Sequence, residues 1–300
     1  MSKLTVRSHE PVMSTEAVSF LQPQRGGLFV DCTVGAGGHT EALLMAGADR
    51  VIAFDRDTDA LKVSEETLKP WGKRVDLVHA DFRTLDTVLD DYGVNAIDGA
   101  VADLGVSSIQ LDGEGRGFSF RRNDPLDMRM DRSSGAPAAE MLATIDEAGL
   151  ADVIYRYGEE RNARRIARSL VASREHSLLD STTQLAEVVR KATARRGHRR
   201  IHPATRTFQA IRIWVNRELE ELEAWLLTVC RRLRAGARFA VLTFHSLEDR
   251  IVKHTFRGLS RTEDPAIKIL TKRPMRPSPD EVQRNPRSRS AKLRVAERIA

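Results

Sequence analysis

A glycine-rich segment near the start of the chain has the residue types of a cofactor-binding turn. Asp31-Cys-Thr-Val-Gly-Ala-Gly-Gly-His39 follows an apolar segment and precedes an amphipathic one. Glycines there let the chain turn sharply and let a ligand approach the backbone. Asp55, twenty residues after Gly35, ends the next apolar segment, where a carboxylate can accept hydrogen bonds from both ribose hydroxyls. The two features together predict a site for an adenosine-type cofactor.

The details of the turn narrow the choice of cofactor. A dinucleotide fingerprint would need a third glycine at position 40, where Thr40 stands, and the lysine of an ATP-type P-loop is missing. Asp31 is unfavourable beside a pyrophosphate, but it suits the amino-acid end of S-adenosylmethionine, which carries no phosphate. The turn therefore favours a methyltransferase. A nicotinamide oxidoreductase and a glycine turn with a purely structural role remain open.

Polar residues also follow the third and fourth apolar segments. Asp103-Leu-Gly-Val-Ser-Ser108 is at the point where methyltransferases have polar groups beside the methyl donor. Asp81 is in position to reach an adenine edge, and Phe82 to pack on the ring. These residues extend the predicted donor site to four strand ends.

The elements that must position these residues follow an alternating pattern. Nearly continuous apolar runs, separated by amphipathic helical segments, predict a parallel α/β sheet covered on both faces. We predict strands at 27–31, 50–55, 75–79 and 97–103, and helices at 40–46 and 57–69.

The pattern changes after Gly105 and returns near residue 233. Residues 110–135 are polar and irregular, 137–200 are helical in pattern, and 239–244 form another apolar strand. We interpret 272–290 as a surface loop and 291–299 as a final edge strand. The prediction is a Rossmann-like α/β sheet with a helical domain inserted between strands four and five. We predict that the methyltransferase domain comprises residues 1–110 and 210–300. The basic, RNA-facing insertion comprises residues 111–209.

Charge separates the two parts of the chain. Residues 1–110 carry 10 Lys and Arg against 17 Asp and Glu, whereas residues 111–300 carry 38 against 25. The net charges of −7 and +13 indicate a small-molecule domain followed by a polyanion-facing surface, with solvated helix faces as the alternative. Arginines recur on one predicted helix face and in one predicted loop, where they suit phosphate contacts: Arg161, Arg164, Arg165 and Arg168, then Arg195, Arg196, Arg199 and Arg200.

Several protein classes are disfavoured by composition. Cys32 and Cys230 are the only cysteines, so neither a zinc site nor a disulfide framework is expected. The first 18 residues have no continuous apolar run, and no stretch approaches the roughly 18 apolar residues of a membrane helix. We therefore expect a cytoplasmic protein with no metal and no membrane partner.

Long motifs in a fixed order resemble one family over nearly the whole chain, the S-adenosylmethionine-dependent cytosine-N4 methyltransferases of the ribosomal RNA small subunit methyltransferase H type. The motifs that carry the resemblance are His9-Glu-Pro-Val-Met13, the turn Asp31–His39, Asp103-Leu-Gly-Val-Ser-Ser-Ile-Gln-Leu-Asp112, Arg116-Gly-Phe-Ser-Phe120, Pro125-Leu-Asp-Met-Arg-Met130, Tyr157-Gly-Glu-Glu-Arg161, His202–Arg212, Val215-Asn216 and Phe244-His-Ser-Leu-Glu-Asp-Arg250. The sequence departs from the family at Asn123-Asp124, where relatives often have a small second residue, and 261–285 is shorter than in some of them.

The resemblance implies a reaction, a donor and a substrate. The reaction is methylation of a cytidine N4 in 16S ribosomal RNA near the decoding centre, with S-adenosylmethionine as donor and the small ribosomal subunit as partner. A class I methyltransferase sheet with a helical insertion is the implied fold, and a homodimer is left open. The implied donor residues are Gly37, Gly38, His39, Asp55, Phe82, Asp103 and Gln110.

The sequence does not identify the catalytic group. A cytosine amino group is a poor nucleophile, and acceptors that hold its N–H groups can turn the lone pair toward the methyl. Position along the chain leaves five candidates: Asp103, Ser107, Ser108, Asn216 and His245. A structural hydrogen bond at a strand end is the alternative for His245, and a helix-capping role is the alternative for His39.

Two further functions stay open on the sequence. The same architecture could methylate another nucleic acid or a protein, or the chain could be an RNA-binding assembly factor without activity. The four intact donor residues Gly37, Gly38, Asp55 and Asp103 disfavour the second alternative, because a degenerate site would not need all of them.

Overall fold

The protein was analysed as a computed structural model that describes residues 11–176, 179–193 and 202–299. Within these residues, internal contacts divide the chain after Gly105 and after Glu218. The first unit comprises the described residues up to Gly105 and from Leu219 onward, and the second comprises the described residues within 106–218. The second unit begins five residues before and ends nine residues after the predicted insertion bounds of 111–209, and the assignment of separate roles to the two parts stays a prediction.

The first unit is built on a seven-stranded sheet with the order β3-β2-β1-β4-β5-β7-β6. The strands pair in parallel except β7, which is antiparallel to both neighbours. Their bounds are β1 Leu28–Asp31, β2 Arg50–Asp55, β3 Val75–His79, β4 Ile97–Asp103, β5 Leu233–Thr243, β6 Ile267–Ile269 and β7 Lys292–Arg298. The sheet confirms the predicted Rossmann-like α/β class.

Helices cover both faces of the sheet, as the continuous apolar strands predicted. One apolar core contains Trp225, Val252 and Phe256, and the other contains Met13, Leu43 and Leu68. The helices of this unit are α1 Ser14–Leu21, α2 Gly38–Met45, α3 Thr58–Leu68 and α4 Leu85–Asp91, followed after Glu218 by α11 Leu222–Arg232, α12 Ser246–Leu259 and α13 Pro279–Arg284.

Two predictions for the C-terminal part of the sheet are wrong. We expected residues 291–299 to form an edge strand, but β7 lies between β5 and β6, and β6 forms the edge. The segment 272–290 is not only a loop, because it contains α13 and a short 3₁₀ turn, Pro286–Ser290. β6 has only three residues, too few for its alternation to be recognised in the sequence.

The second unit is helical and has its own core. It contains α5 Ser108–Asp112, α6 Ala138–Thr144, α7 Glu147–Gly158, α8 Ala163–His176, α9 Thr182–Ala192 and α10 Thr205–Asn216. Leu142, Ile154, Ile166, Leu185 and Phe208 pack together in this core. Between Asp112 and Ala138 the chain forms no helix or named strand, as predicted for this polar segment.

Some sequence-based expectations fall outside or between these elements. Arg195, Arg196, Arg199 and Arg200 lie outside the described residues. None of the helices in the described ranges has both the length and the apolarity of a membrane span.

Candidate active site

The turn after β1 has a backbone that only glycine adopts easily. Gly35 and Gly37 have φ values of +54° and +92°. A Cβ at Gly37 would lie 3.1 Å from the Leu68 side chain, and one at Gly38 would lie 3.0 Å from the ring of Pro11. Leu68 and Pro11 therefore pack against the turn from two sides. Because the glycines have no side chains, a ligand can approach the backbone of the turn closely.

Asp31, the first residue of the motif, holds this turn through hydrogen bonds of its side chain. Its carboxylate is fully buried and accepts hydrogen bonds from the Thr40 hydroxyl at 2.7 Å and the Thr33 N–H at 3.1 Å. Burial raises the pKa of Asp31, against the opposing effects of His39 and of these hydrogen bonds. The structure gives Asp31 a bracing role between β1 and α2. The expectation that it also faces the amino-acid end of a ligand stays a prediction.

His39 and Asp103 face each other across the same turn. His39 Nε2 lies 3.5 Å from Asp103 Oδ2, and the backbone N–H of Asp103 donates to the Thr33 hydroxyl at 2.7 Å. Burial lowers the pKa of His39, but Asp103 and Asp31 outweigh it and raise the pKa above its ordinary value. α2 begins after Gly37, which has no side chain to cap it, and the capping alternative for the His39 ring stays open.

Two polar atoms of this pair are buried without a hydrogen-bond partner among the described residues. They are Nε2 of His39 and Oδ1 of Asp103. A buried donor or acceptor that stays unpaired costs about 1–3 kcal/mol. These two lie beside the glycine turn, where a bound ligand would give them partners.

Asp55 ends β2 on the other side of the turn. Its two carboxylate oxygens accept hydrogen bonds from the backbone N–H groups of Gly35 and Asp57, each at 2.9 Å. Burial raises the pKa of Asp55 to about 6, and these hydrogen bonds oppose the rise. A carboxylate oxygen has a second lone pair, so the same group can brace the turn and accept ribose hydroxyls.

The residues after β3 only partly match their predicted roles. Phe82 is half-buried, and its ring packs on Trp225 with a centroid distance of 4.4 Å. Asp81 instead forms a two-pronged ion pair with Arg83, at 2.8 and 2.6 Å, and lies 3.4 Å from Arg56. Burial raises the pKa of Asp81, but the two arginines outweigh it and leave the pKa below its ordinary value. The adenine-edge role of Asp81 would therefore compete with these arginines.

The candidates in the second unit are engaged in local structure. Ser107 and Gln110 form a reciprocal cap of α5, in which Ser107 N–H donates to the Gln110 side chain at 3.0 Å. The Asn216 amide holds the segment around Met128 and Met130 through two hydrogen bonds of 2.7 Å. The donor-binding role of Gln110 and the catalytic roles of Ser107 and Asn216 stay predictions.

His245 has the structural role that we considered as its alternative. Its Nδ1 accepts a hydrogen bond from the Glu248 N–H at 3.4 Å and caps α12, while Nε2 lies 3.0 Å from the Glu248 carboxylate. Both ring nitrogens therefore face one residue of the same helix. Nε2 of His245, like Oδ1 of Asp103, is buried without a hydrogen-bond partner among the described residues, and the catalytic roles of both stay predictions.

Comparison with known proteins identifies the family of this chain. The description "MraW methylase family" matches residues 6–299. The chain belongs to the MraW methylase family. A ribosomal RNA small subunit methyltransferase H from Geotalea uraniireducens is 47% identical over 307 residues, which cover 97% of this chain and 98% of that protein. One of the same name from Nitrobacter winogradskyi is 48% identical over 97% of this chain and 90% of its own.

One solved structure matches the chain at low sequence identity. A putative methyltransferase from Streptococcus mutans in complex with SAH has a TM-score of 0.43 at 13% identity, covering 97% of this chain and 99% of that one. The assignment rests on the family and on the two relatives.

Family membership makes the protein an S-adenosylmethionine-dependent methyltransferase, and the residues at the turn fit that donor. The glycines leave the backbone approachable, Asp55 offers acceptors to a ribose, and Asp103 Oδ1 offers an acceptor to a donor ammonium or a substrate amine. The unpartnered atoms of His39 and Asp103 are the observation that favours a bound ligand here.

Proposed function

We propose that the protein methylates the N4 amino group of a cytidine in 16S ribosomal RNA near the decoding centre. The small ribosomal subunit in the cytoplasm is the proposed partner and location. The observation that carries the proposal is the near full-length identity of 47–48% to proteins named ribosomal RNA small subunit methyltransferase H. The glycine turn with its buried, unpartnered His39 and Asp103 atoms supports it.

The donor is proposed to lie against the turn after β1. Asp55 accepts its ribose hydroxyls, the backbone at Gly37 and Gly38 approaches it closely, and Phe82 packs beside the adenine. His39 and Asp103 face its polar end, and Gln110 completes the set as the resemblance implied. When bound, S-adenosylmethionine supplies a sulfonium methyl with a good leaving group, so that position and orientation provide much of the rate.

Asp103 is the proposed acceptor for the amine. Its Oδ1 has no hydrogen-bond partner among the described residues, so it can accept an N–H of the cytosine amino group. Acceptance there turns the amine lone pair toward the methyl and stabilises positive charge as the bond forms. The proton becomes acidic only after methyl transfer, so no strong base is required before the bond forms.

The second unit is proposed to contact RNA phosphates through one face of α8. Arg164, Arg165 and Arg168 are exposed on this helix, and Arg161 is exposed just before it. Arg168 lies 3.4 Å from the carboxylate of Glu147. This ion pair is exposed, so it contributes little to the stability of the fold. Arginines of this kind position RNA by charge and carry no sequence information themselves.

The test is a labelling experiment on small ribosomal subunits that lack this modification. The protein is incubated with labelled S-adenosylmethionine, the RNA is digested, and the labelled nucleoside is identified. Label on cytidine N4 is expected, and Asp55→Ala should abolish it. Label on another nucleoside, on DNA or on protein would assign a different substrate. Donor binding without any label would favour the assembly-factor alternative.

A further inference from the structure

A second basic surface lies on the methyltransferase unit itself, in residues 267–290, which we call the arm. The arm holds seven Lys and Arg against two acidic residues, whereas residues 1–105 of the same unit are net acidic. One of the two acids, Glu281, is buried. The cations are all exposed: Lys268, Lys272, Arg273, Arg276, Arg284, Arg287 and Arg289.

The arm is held along the outer edge of β7. β6 pairs with β7, the Leu270 N–H donates to the Val295 carbonyl at 2.9 Å, and Met275 and Leu293 exchange two backbone hydrogen bonds of 3.0 Å. Leu270 and Met275 pack against the apolar core that also contains Met13. Because the apolar side chains of the arm face the core, its charged side chains are left to the solvent.

A buried carboxylate connects the arm to the donor turn. Glu281 in α13 accepts a hydrogen bond from the Met13 N–H at 2.8 Å, in a buried position. Pro11, two residues before Met13, packs against Gly38 of the turn. Glu281 is also close enough to His39 to favour its charged form. The arm is therefore anchored next to the residues proposed to hold the methyl donor.

We propose that the arm binds the phosphate backbone of the RNA substrate beside the donor turn. This inference rests on the proposed function, and it adds a phosphate-binding surface on the unit that carries the donor site. Protein interfaces need apolar or aromatic anchors at their centre. The exposed large apolar residues in the described part of the chain are Met45, Tyr92, Tyr155, Leu227 and Ile299, and none is in the arm. Clustered Lys and Arg without such anchors are typical of phosphate contacts.

The test compares two double variants of the full-length protein with equal charge loss. Arg273→Ala with Arg276→Ala removes two exposed cations of the arm. Arg231→Ala with Arg257→Ala removes two exposed arginines from α11 and α12, which cover the opposite face of the sheet. Lys268 is left in place because a lysine on an edge strand also blocks strand pairing.

Binding to naked 16S rRNA and to small subunits is measured over a range of salt concentrations. The arm variant should bind naked rRNA about tenfold or more weakly, and the slope of log K against log salt should fall by about two. Its KM for small subunits should rise with kcat nearly unchanged. The control pair should resemble the wild type, and both variants should keep their affinity for S-adenosylhomocysteine.

Three outcomes decide the inference. Equal loss in the arm and control variants would reduce the effect to net charge and overturn it. Loss of affinity for small subunits but not for naked rRNA would assign the arm to a ribosomal protein and also overturn it. If the wild type labels no cytidine but the arm variant still loses RNA affinity and salt slope selectively, the arm is an RNA-binding surface and the proposed reaction is wrong.

Discussion

The carboxylate of Asp55 combines a structural and a binding role, and burial gives it a pKa within reach of experiment. It accepts the N–H groups of Gly35 and Asp57 while its pKa is raised to about 6. Protonation converts one acceptor oxygen into a donor hydroxyl. The neutral acid therefore serves both the turn and a ribose less well.

We expect the affinity for S-adenosylmethionine to fall as the pH drops through about 6, because the Asp55 carboxylate is then protonated. The raised pKa also means that the folded protein binds more protons than the unfolded chain between pH 3.8 and about 6, so the Asp55 contribution to stability decreases as the pH rises through that window. Calorimetric titration from pH 5 to 8 measures the affinity. Asp55→Asn should bind weakly at every pH, and an unchanged pH dependence in that variant would assign the titration to another group.

Asp103 and Ser107 lie close in the sequence but differ in what their side chains already do. Ser107 caps α5, whereas Asp103 Oδ1 has no partner among the described residues. We expect Asp103→Asn to lower kcat by about 10²–10³-fold, the loss typical when one transition-state hydrogen bond is removed. Ser107→Ala should keep kcat and lose about 1 kcal/mol of stability with its cap. Single-turnover methylation measures the first effect, and a large kcat loss in Ser107→Ala alone would move the acceptor role to the serine.

Much of the site was predictable from residue spacing, but the partners of its side chains were not. The turn and Asp55 follow from glycines and a strand-end carboxylate, which are local features. The bracing of Asp31 by Thr40 and the ion pair of Asp81 with Arg83 depend on the folded backbone, although Arg83 is only two residues away. The bond between Glu281 and Met13 joins residues 268 positions apart, and no local pattern marks it.

At the scale of elements, the turn between β1 and α2 is the feature most sensitive to a single methyl group. Gly37 has φ +92° and meets Leu68, whereas Gly93 has φ +66° with no atom within 4 Å of its would-be Cβ. We expect Gly93→Ala to cost about 1–2 kcal/mol from backbone strain alone and to bind the donor normally. Gly37→Ala should cost at least as much and also lose donor affinity. Thermal unfolding and calorimetric titration separate the two effects, and equal donor affinity in both variants would contradict the assigned role of the turn.

The strands themselves were predicted closely because buried parallel strands are nearly continuous in apolar residues. β4 was predicted at the observed residues, and β2 likewise. The order of the last strands was not predictable, since the place of β7 inside the sheet depends on its pairing with the three residues of β6. Sheet order is set by tertiary packing, which short-range periodicity does not report.

A partly buried cluster of one carboxylate and two cations joins two of these late elements. Asp249 in α12 accepts from Arg294 at 2.7 Å and Lys292 at 2.9 Å, both in β7. Burial raises the pKa of Asp249, but the two cations outweigh it and leave the pKa below the ordinary 3.8. A lowered pKa contributes stability that is present above the unfolded-state pKa and is lost as the pH falls through the folded-state pKa.

We therefore expect Asp249→Ala to lower the free energy of unfolding by about 3 kcal/mol at neutral pH, because it leaves Arg294 buried and unpaired. The difference from the wild type should begin to shrink as the pH falls below the ordinary pKa of 3.8, because the carboxylate of the unfolded chain is protonated before that of the folded protein. Urea unfolding at pH 7 and pH 3 measures both values. Asp249→Asn keeps the size and should show most of the loss, and a loss that is the same at both pH values would indicate packing alone.

Across the whole molecule, the distribution of charge predicts different electrostatic contributions to the binding of the two ligands, S-adenosylmethionine and RNA. The first 110 residues are net negative at −7, and the rest are net positive at +13. S-adenosylmethionine has no phosphate, so its binding releases few counterions, whereas an RNA releases one set for every phosphate neutralised. The two affinities should therefore respond differently to salt, even though the donor site and the arm belong to the same unit.

The α8 face gives this difference a specific test. RNA affinity should fall steeply with salt, with a slope of about 0.7–0.9 for each phosphate contact, while donor affinity stays nearly constant. Arg164→Ala with Arg165→Ala should reduce that slope, because both side chains are exposed on α8 and no ion pair among the described residues engages them. Arg156→Ala with Arg190→Ala is the matched control in the same unit, since these arginines pair with Asp152 and Glu187. If both pairs reduce the slope equally, net charge and not the α8 face attracts the RNA; if only the α8 pair does, its arginines contact phosphates directly.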